Sequence, residues 1–235
     1  LQTLSYSLPH SKRWLVATRD CVRLPSGQDL AKLIGLRNSV ANCGAANSCT
    51  FEDYRQAIDD SVGGILVVEH PVPAAGNYAP VPFPWKELSA LAREQGLPLV
   101  VLSWTACLLD FADLDLAIPV VSQRLEQGAD AVVMPGEGWI GGPESGIVVG
   151  NQTILATLME ASSAIASEAD ALKQALLLAA LENHATTESW SRTPVAEMLL
   201  NNIDNLQHRA DKIKAQLEEL EPIDEEIIDR ADVPI

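Results

Sequence analysis

Residues 131–150 read AVVMPGEGWIGGPESGIVVG. Ala131–Met134 is apolar without alternation, the pattern of a strand covered on both faces. Gly146–Val149 is a second short strand-like run. The Gly- and Pro-rich loop between them is too short for a helical crossover, so the two strands are expected to pair antiparallel. Gly136–Gly141 spells GxGxxG after a strand, but Gly142-Pro143 and another strand follow it instead of a helix. The dinucleotide fingerprint needs that helix N-terminus for the pyrophosphate, so this reading fails and the glycines serve a tight turn.

Working outward, further strands are expected at Trp14–Thr18, Ser39–Cys43, Gly64–Glu69 and Leu99–Ser103, several of them Val/Ile/Leu-rich runs. Helical patterns fall between them near Asp29–Gly35, Thr50–Asp60, Trp85–Glu94 and Ser122–Gln127. This order predicts an α/β fold, a mostly parallel doubly wound sheet with one antiparallel strand. After Gly150 the pattern is helical only. Thr153–Thr186 is rich in Ala, Leu and Glu, and Pro194 opens a second long helix. Leu199, Ile203, Leu206, Ala210, Ile213, Leu217 and Leu220 recur at alternating spacings of four and three, a heptad-like stripe. Such a stripe is expected to dock on its own chain, with a helical partner as the sharper alternative. Between Glu218 and Asp232 eight acids face one base, Arg230, which reads as a solvated tail.

Composition narrows the function classes. A chain of 235 residues, 47% hydrophobic and 20% charged, can bury a real core and is not wholly disordered. Leu99–Leu109, the longest stretch without a charge or turn residue, is well short of the ~18–20 apolar residues that cross a bilayer. No basic start followed by an apolar run suggests a secretory signal. Sixteen Lys and Arg against thirty-two Asp and Glu give a net charge of −16, a field that repels a phosphate backbone. A soluble cytoplasmic protein is expected, with no membrane partner and no nucleic-acid partner. The first residue is Leu, which hints at a processed or truncated chain.

Cys21, Cys43, Cys49 and Cys107 form no CxxC pair and have no His at zinc spacing, so no metal site is expected. Buried thiols are the better reading; a Cys43–Cys49 disulfide would need an oxidising compartment that nothing else supports. His70 follows the strand ending at Glu69 and can face the cleft at the carboxyl ends of the strands. A hydrogen-bonded structural His is the commoner case, and His10, His184 and His208 have no catalytic partners nearby in sequence. Asp110, Asp113 and Asp115 read as a capped, solvated turn rather than a metal site. Signatures of a Ser-His-Asp triad, HExxH or a Walker loop are absent.

Gly136–Gly150, GEGWIGGPESGIVVG, resembles the SGDKxxGGPQAGxxVG stretch of the bacterial selenocysteine synthase (L-seryl-tRNA(Sec) selenium transferase) family and its aminosugar-acid ammonia-lyase relatives. The flanks agree in order. Thr18-Arg19 resembles the family's Ser-Arg after a strand, Gly44–Asn47 its GTTN, and Tyr54–Ile58 its DYxxAI. Glu69-His70 falls where the family has Val-His, and Ala90–Pro98 resembles its LAREHGLP turn. The resemblance implies the aspartate-aminotransferase-like fold and pyridoxal phosphate as the family cofactor.

The same resemblance places Gly138 where the family has its Schiff-base lysine, and glycine offers neither amine nor general base. It places Leu102 where an aspartate pairs with the pyridine nitrogen. It finds no Arg in Ala161–Leu172, and it puts the family's phosphate-cradling helix upstream of residue 1. His70, Glu137, Gly141 and Gly142 are what it leaves as a vestigial cofactor site. None of the six lysines is expected near the strand ends. Residues 1–152 would then be a partial large domain lacking the first strand, and 153–235 a helical connector and the start of a small domain.

The expectation is a catalytically degenerate member, a binding or assembly protein with no cofactor. The alternative is an active pyridoxal-phosphate-dependent transferase or lyase with a displaced lysine. The missing upstream strand is expected to leave Gly146–Val149 as a bare sheet edge, and the missing upstream helix to leave Leu99 and Val101, or their alternates, uncovered. Association is expected from that edge first, as a homo-oligomer or with a chain supplying the missing N-terminal strand.

Overall fold

The computed structural model describes residues 12–18, 40–45, 49–69, 84–111, 118–160 and 168–217. His70, Cys21, Asp113, Asp115, Leu220 and the Asp29–Gly35 helix lie outside them. Six strands are described: β1 (Arg13–Ala17), β2 (Val40–Cys43), β3 (Val62–Glu69), β4 (Leu99–Ser103), β5 (Ala131–Pro135) and β6 (Gly146–Gly150). They form one sheet in the order β2-β1-β3-β4-β5-β6. The first five run parallel, and β6 pairs antiparallel with β5, Val132 opposite Val149. The antiparallel pairing expected from residues 131–150 is thus the one observed.

Alternation along the parallel strands sends side chains to two faces, and both are covered. Leu15, Ile65, Val67, Leu99, Val101 and Val132 pack on one side with α1 (Phe51–Ala57), α2 (Trp85–Glu94) and α3 (Val121–Glu126). Trp14, Val16, Leu66, Val100, Leu102 and Val133 pack on the other with Ile154 and Leu158 of α4 (Gln152–Glu160). Continuous apolar runs are what such double coverage requires. The expectation of an uncovered sheet face is overturned, because Leu99, Val100 and Val101 are fully buried and Leu102 nearly so. The Trp14 ring lies over Gly64, where a Cβ would come within 2.5 Å of it.

The helical part continues with α5 (Ala171–Glu182), α6 (Thr187–Trp190), α7 (Pro194–Leu199) and α8 (Ile203–Leu217). The expected second long helix is two helices: α7 ends at Leu200, and Asn202 accepts from the Asp204 N–H as a fresh start. The stripe docks at its first residue, Leu199, which packs against the cluster of Phe111 and Trp190, but not along α8. No residue of α8 is buried, and Ile203, Leu206 and Ile213 are exposed. What anchors this half is Trp190, fully buried with Phe111 at 4.2 Å between ring centroids, beside Cys107, Val120 and Ala196.

Local signals set the helix starts. Thr50 and Asp53 form a capping box on α1, the Thr50 hydroxyl accepting from the Asp53 N–H and Asp53 from that of Thr50. That backbone bond and the Thr50 hydroxyl hold the Asp53 carboxyl below its usual range. Arg55 and Gln56 hold Glu52 down to about 2, and Ser61 lowers Asp59. Folding depresses these carboxyls, so their stabilisation is present above the unfolded values and lost as pH falls through the folded ones. The thermal midpoint is therefore expected to fall steadily between about pH 5 and about pH 2. A midpoint flat across that window, followed by scanning calorimetry, would contradict this assignment.

Candidate functional site

The carboxyl ends of β4 and β5 and the start of β6 frame a cleft of about 690 Å³. Open α/β sheets bind ligands at this end. Leu102 and Trp104 supply its apolar wall, and Glu137, Glu144 and Ser145 come from the β5–β6 loop. Glu168, Asp170 and Lys173 close it from the start of α5.

The loop holds its own shape. Gly136 N–H donates to Ser145 O at 2.8 Å, Gly142 N–H to Gly136 O at 2.9 Å, and the Ser145 hydroxyl to Pro143 O at 2.9 Å. Glu137 Oε2 accepts from the Ser145 N–H at 3.3 Å, so this carboxylate ties the loop together as well as facing the cleft. Gly138 adopts φ +67°, where L side chains are disfavoured, although an added Cβ would meet nothing within 4 Å. Backbone conformation, not space, favours glycine there, and another residue would cost about 1–2 kcal/mol.

Gly141 and Gly142 do not line the cleft. A Cβ on Gly142 would crowd Gly136 O and the Leu177 side chain of α5, and one on Gly141 would point toward Val195. Of the residues singled out from sequence, the cleft brings together Leu102 and Glu137, while His70 lies outside the described residues.

Three features carried no local sequence signal. Lys173 lines the cleft, contrary to the expectation that no lysine approaches the strand ends. His184, just past α5, is buried and fixes the loop from behind, with Nε2 3.0 Å from Trp139 O and Nδ1 3.1 Å from Ala180 O. A neutral ring donates to only one of these carbonyls at a time. Beyond the cleft, Glu69 at the end of β3 pairs with Arg124 Nε at 2.6 Å, and the guanidinium sits 4.8 Å from the Trp85 ring centroid. Both charged side chains are largely buried, and Glu69 Oε2 has no hydrogen-bond partner among the described residues.

The described residues of this cleft are a poor match to the phosphate of pyridoxal phosphate, and Leu102 presents an apolar side chain to it. Glu137, Glu144, Glu168 and Asp170 face a single cation, Lys173, so the field opposes a phosphate dianion. Asp170 also caps α5, accepting from the Lys173 N–H at 2.9 Å. Among the described residues no group of three His, Cys, Asp or Glu is placed to hold a metal ion, and no helix is long and apolar enough to cross a membrane.

Comparison with known proteins matches residues 26–231 to the family described as L-seryl-tRNA selenium transferase. The Hyphomonas neptunium L-seryl-tRNA(Sec) selenium transferase is 31% identical over 180 residues, 74% of this chain and 38% of that protein. The Clostridium perfringens enzyme of the same name is 25% identical over 91% of this chain and 47% of its own. The chain thus spans less than half the length of these relatives. Among solved structures, D-glucosaminate-6-phosphate ammonia-lyase is similar with a TM-score of 0.58 at 18% identity, covering 81% of this chain and 53% of that one. Thermus thermophilus aspartate aminotransferase with maleate gives 0.52 at 16%, covering 80% and 47%. These likenesses are of fold.

Proposed function

Because the chain belongs to the L-seryl-tRNA selenium transferase family, we propose that it uses this family's fold as a binding or assembly protein without pyridoxal-phosphate chemistry at position 138. The observation that carries the reading is the cleft itself. Its apolar wall at Leu102 and its four carboxylates, Glu137, Glu144, Glu168 and Asp170, oppose the ring nitrogen and the phosphate of the cofactor, and the resemblance puts glycine at 138 where the family has its lysine. The absorption spectrum of the full chain, taken with pyridoxal phosphate and again after gel filtration, tests this. No protein-bound band near the visible edge is expected; a retained yellow chromophore would count against the reading.

One observation favours a second reading, a transferase or lyase with a displaced lysine. Lys173 lines the cleft and is the one amine among its described residues. On that reading the retained chromophore disappears in Lys173→Ala.

We also propose that the chain associates, as a homo-oligomer or with a separate chain, through the outer edge of β6. Among the described residues β6 pairs only with β5, and Val148 is exposed on it. Uncharged edge strands of this kind template pairing with another chain. Light scattering of the isolated chain is expected to give a mass above that of one copy. A stable monomer at tens of micromolar would overturn this.

A further inference from the structure

Cys43 is the last residue of β2, and its register opposite Ala17 of β1 fixes its position. The Thr18 hydroxyl, placed to donate to Cys43 O and Gly44 O at 2.9 Å each, pins the strand end further. The chain turns at Gly44, φ +71°, and returns so that Cys49 precedes the capping box of α1. Both thiols are buried at 5% exposure, and their sulfurs lie 3.6 Å apart. Two secondary-structure elements with independent anchors therefore hold two thiols within one short step of a bond of about 2.05 Å.

We propose that Cys43 and Cys49 form a dithiol modification site that a hydroperoxide closes to a disulfide. One thiolate attacks the peroxide: an S–O bond forms, the O–O bond breaks, and water or an alcohol leaves with the proton. The second thiol then attacks the sulfenic sulfur: the S–S bond forms, the S–O bond breaks, and a second water leaves. Two thiols lose two electrons and two protons, and one hydroperoxide is reduced. The bond ties the end of β2 covalently to the residue before the α1 cap. No oxidising compartment is required, because the peroxide supplies the oxidant.

Cys107 serves as an internal comparison. All three thiols are buried and lie near a backbone carbonyl, Cys43 Sγ 3.8 Å from Val16 O, Cys49 Sγ 3.9 Å from Thr50 O and Cys107 Sγ 3.0 Å from Leu109 O. What sets the pair apart is the second sulfur at 3.6 Å, which Cys107 lacks among the described residues.

The test uses the full chain and a small molar excess of hydrogen peroxide. Arg37 and Arg55 bound a tryptic peptide that holds both cysteines. That peptide is expected to become two hydrogens lighter and, in the denatured chain, to resist alkylation until reduced, while Cys107 is alkylated on denaturation without reduction. In Cys49→Ser, a dimedone-trappable sulfenic acid at Cys43 should replace the disulfide. The wild-type measurement stands alone if that variant fails to fold. Disulfides between chains, or a peptide that keeps both alkylatable thiols while Cys107 is consumed, would overturn the proposal.

Discussion

Arg124→Ala is expected to lower the unfolding free energy by about 3–5 kcal/mol. The substitution removes the partner of Glu69 and leaves a largely buried carboxylate with neither oxygen satisfied among the described residues, where Oε2 already lacks a hydrogen bond. It also removes the cation over the Trp85 ring, a contact of about 0.5–2 kcal/mol. Arg124→Lys should recover part of the loss, because an ammonium restores charge without the planar fork. Replacing both partners, Glu69→Leu with Arg124→Leu, should cost far less than Arg124→Ala alone. Urea denaturation of the four proteins gives the comparison. A double variant as unstable as the single one would show that packing around the pair, not the uncompensated charge, dominates.

Trp190→Ala should cost a similar amount, about 3–5 kcal/mol, through a cavity in the cluster joining α6 and α7 to the sheet domain. Trp190 is fully buried against Phe111, with Ala196 in the same cluster. The loss should be cooperative. Near-UV circular dichroism and thermal melts should show one transition at a lower temperature, not a separate melting of the helices. Cys107 of the same cluster gives an independent readout, since its thiol should become alkylatable in native Trp190→Ala protein. A stability within about 1 kcal/mol of wild type would mean that the site collapses and that the helical half is anchored elsewhere.

The sheet was legible because its chemistry is local. Runs such as Leu99–Ser103 and Ala131–Met134 carry no alternation because both faces are covered, and the short Gly/Pro loop leaves no route to a parallel partner for Gly146–Val149. The helical half was less so. Heptad spacing says which of Leu199, Ile203, Leu206 and Ile213 share a face but not what lies across it, and α8 leaves that face exposed. Asn201-Asn202 did carry a local signal for the break before Ile203, since Asn favours caps over helix interiors.

At the candidate site, Leu102 and Glu137 were legible by their order along a resembling sequence. Lys173 and His184 were not, because only the path of α5 across the β5–β6 loop brings them there. The Glu69–Arg124 pair, 55 residues apart in sequence, was hidden for the same reason.

The proposed function requires that this cleft does not hold pyridoxal phosphate through a lysine. Borohydride reduction of the full chain in the presence of the cofactor, followed by peptide mapping, checks this. Low, scattered labelling over the six lysines is expected, with Lys173 modified no more than the others. Stoichiometric labelling of a single lysine, Lys173 above all, would contradict it and restore an active cofactor site.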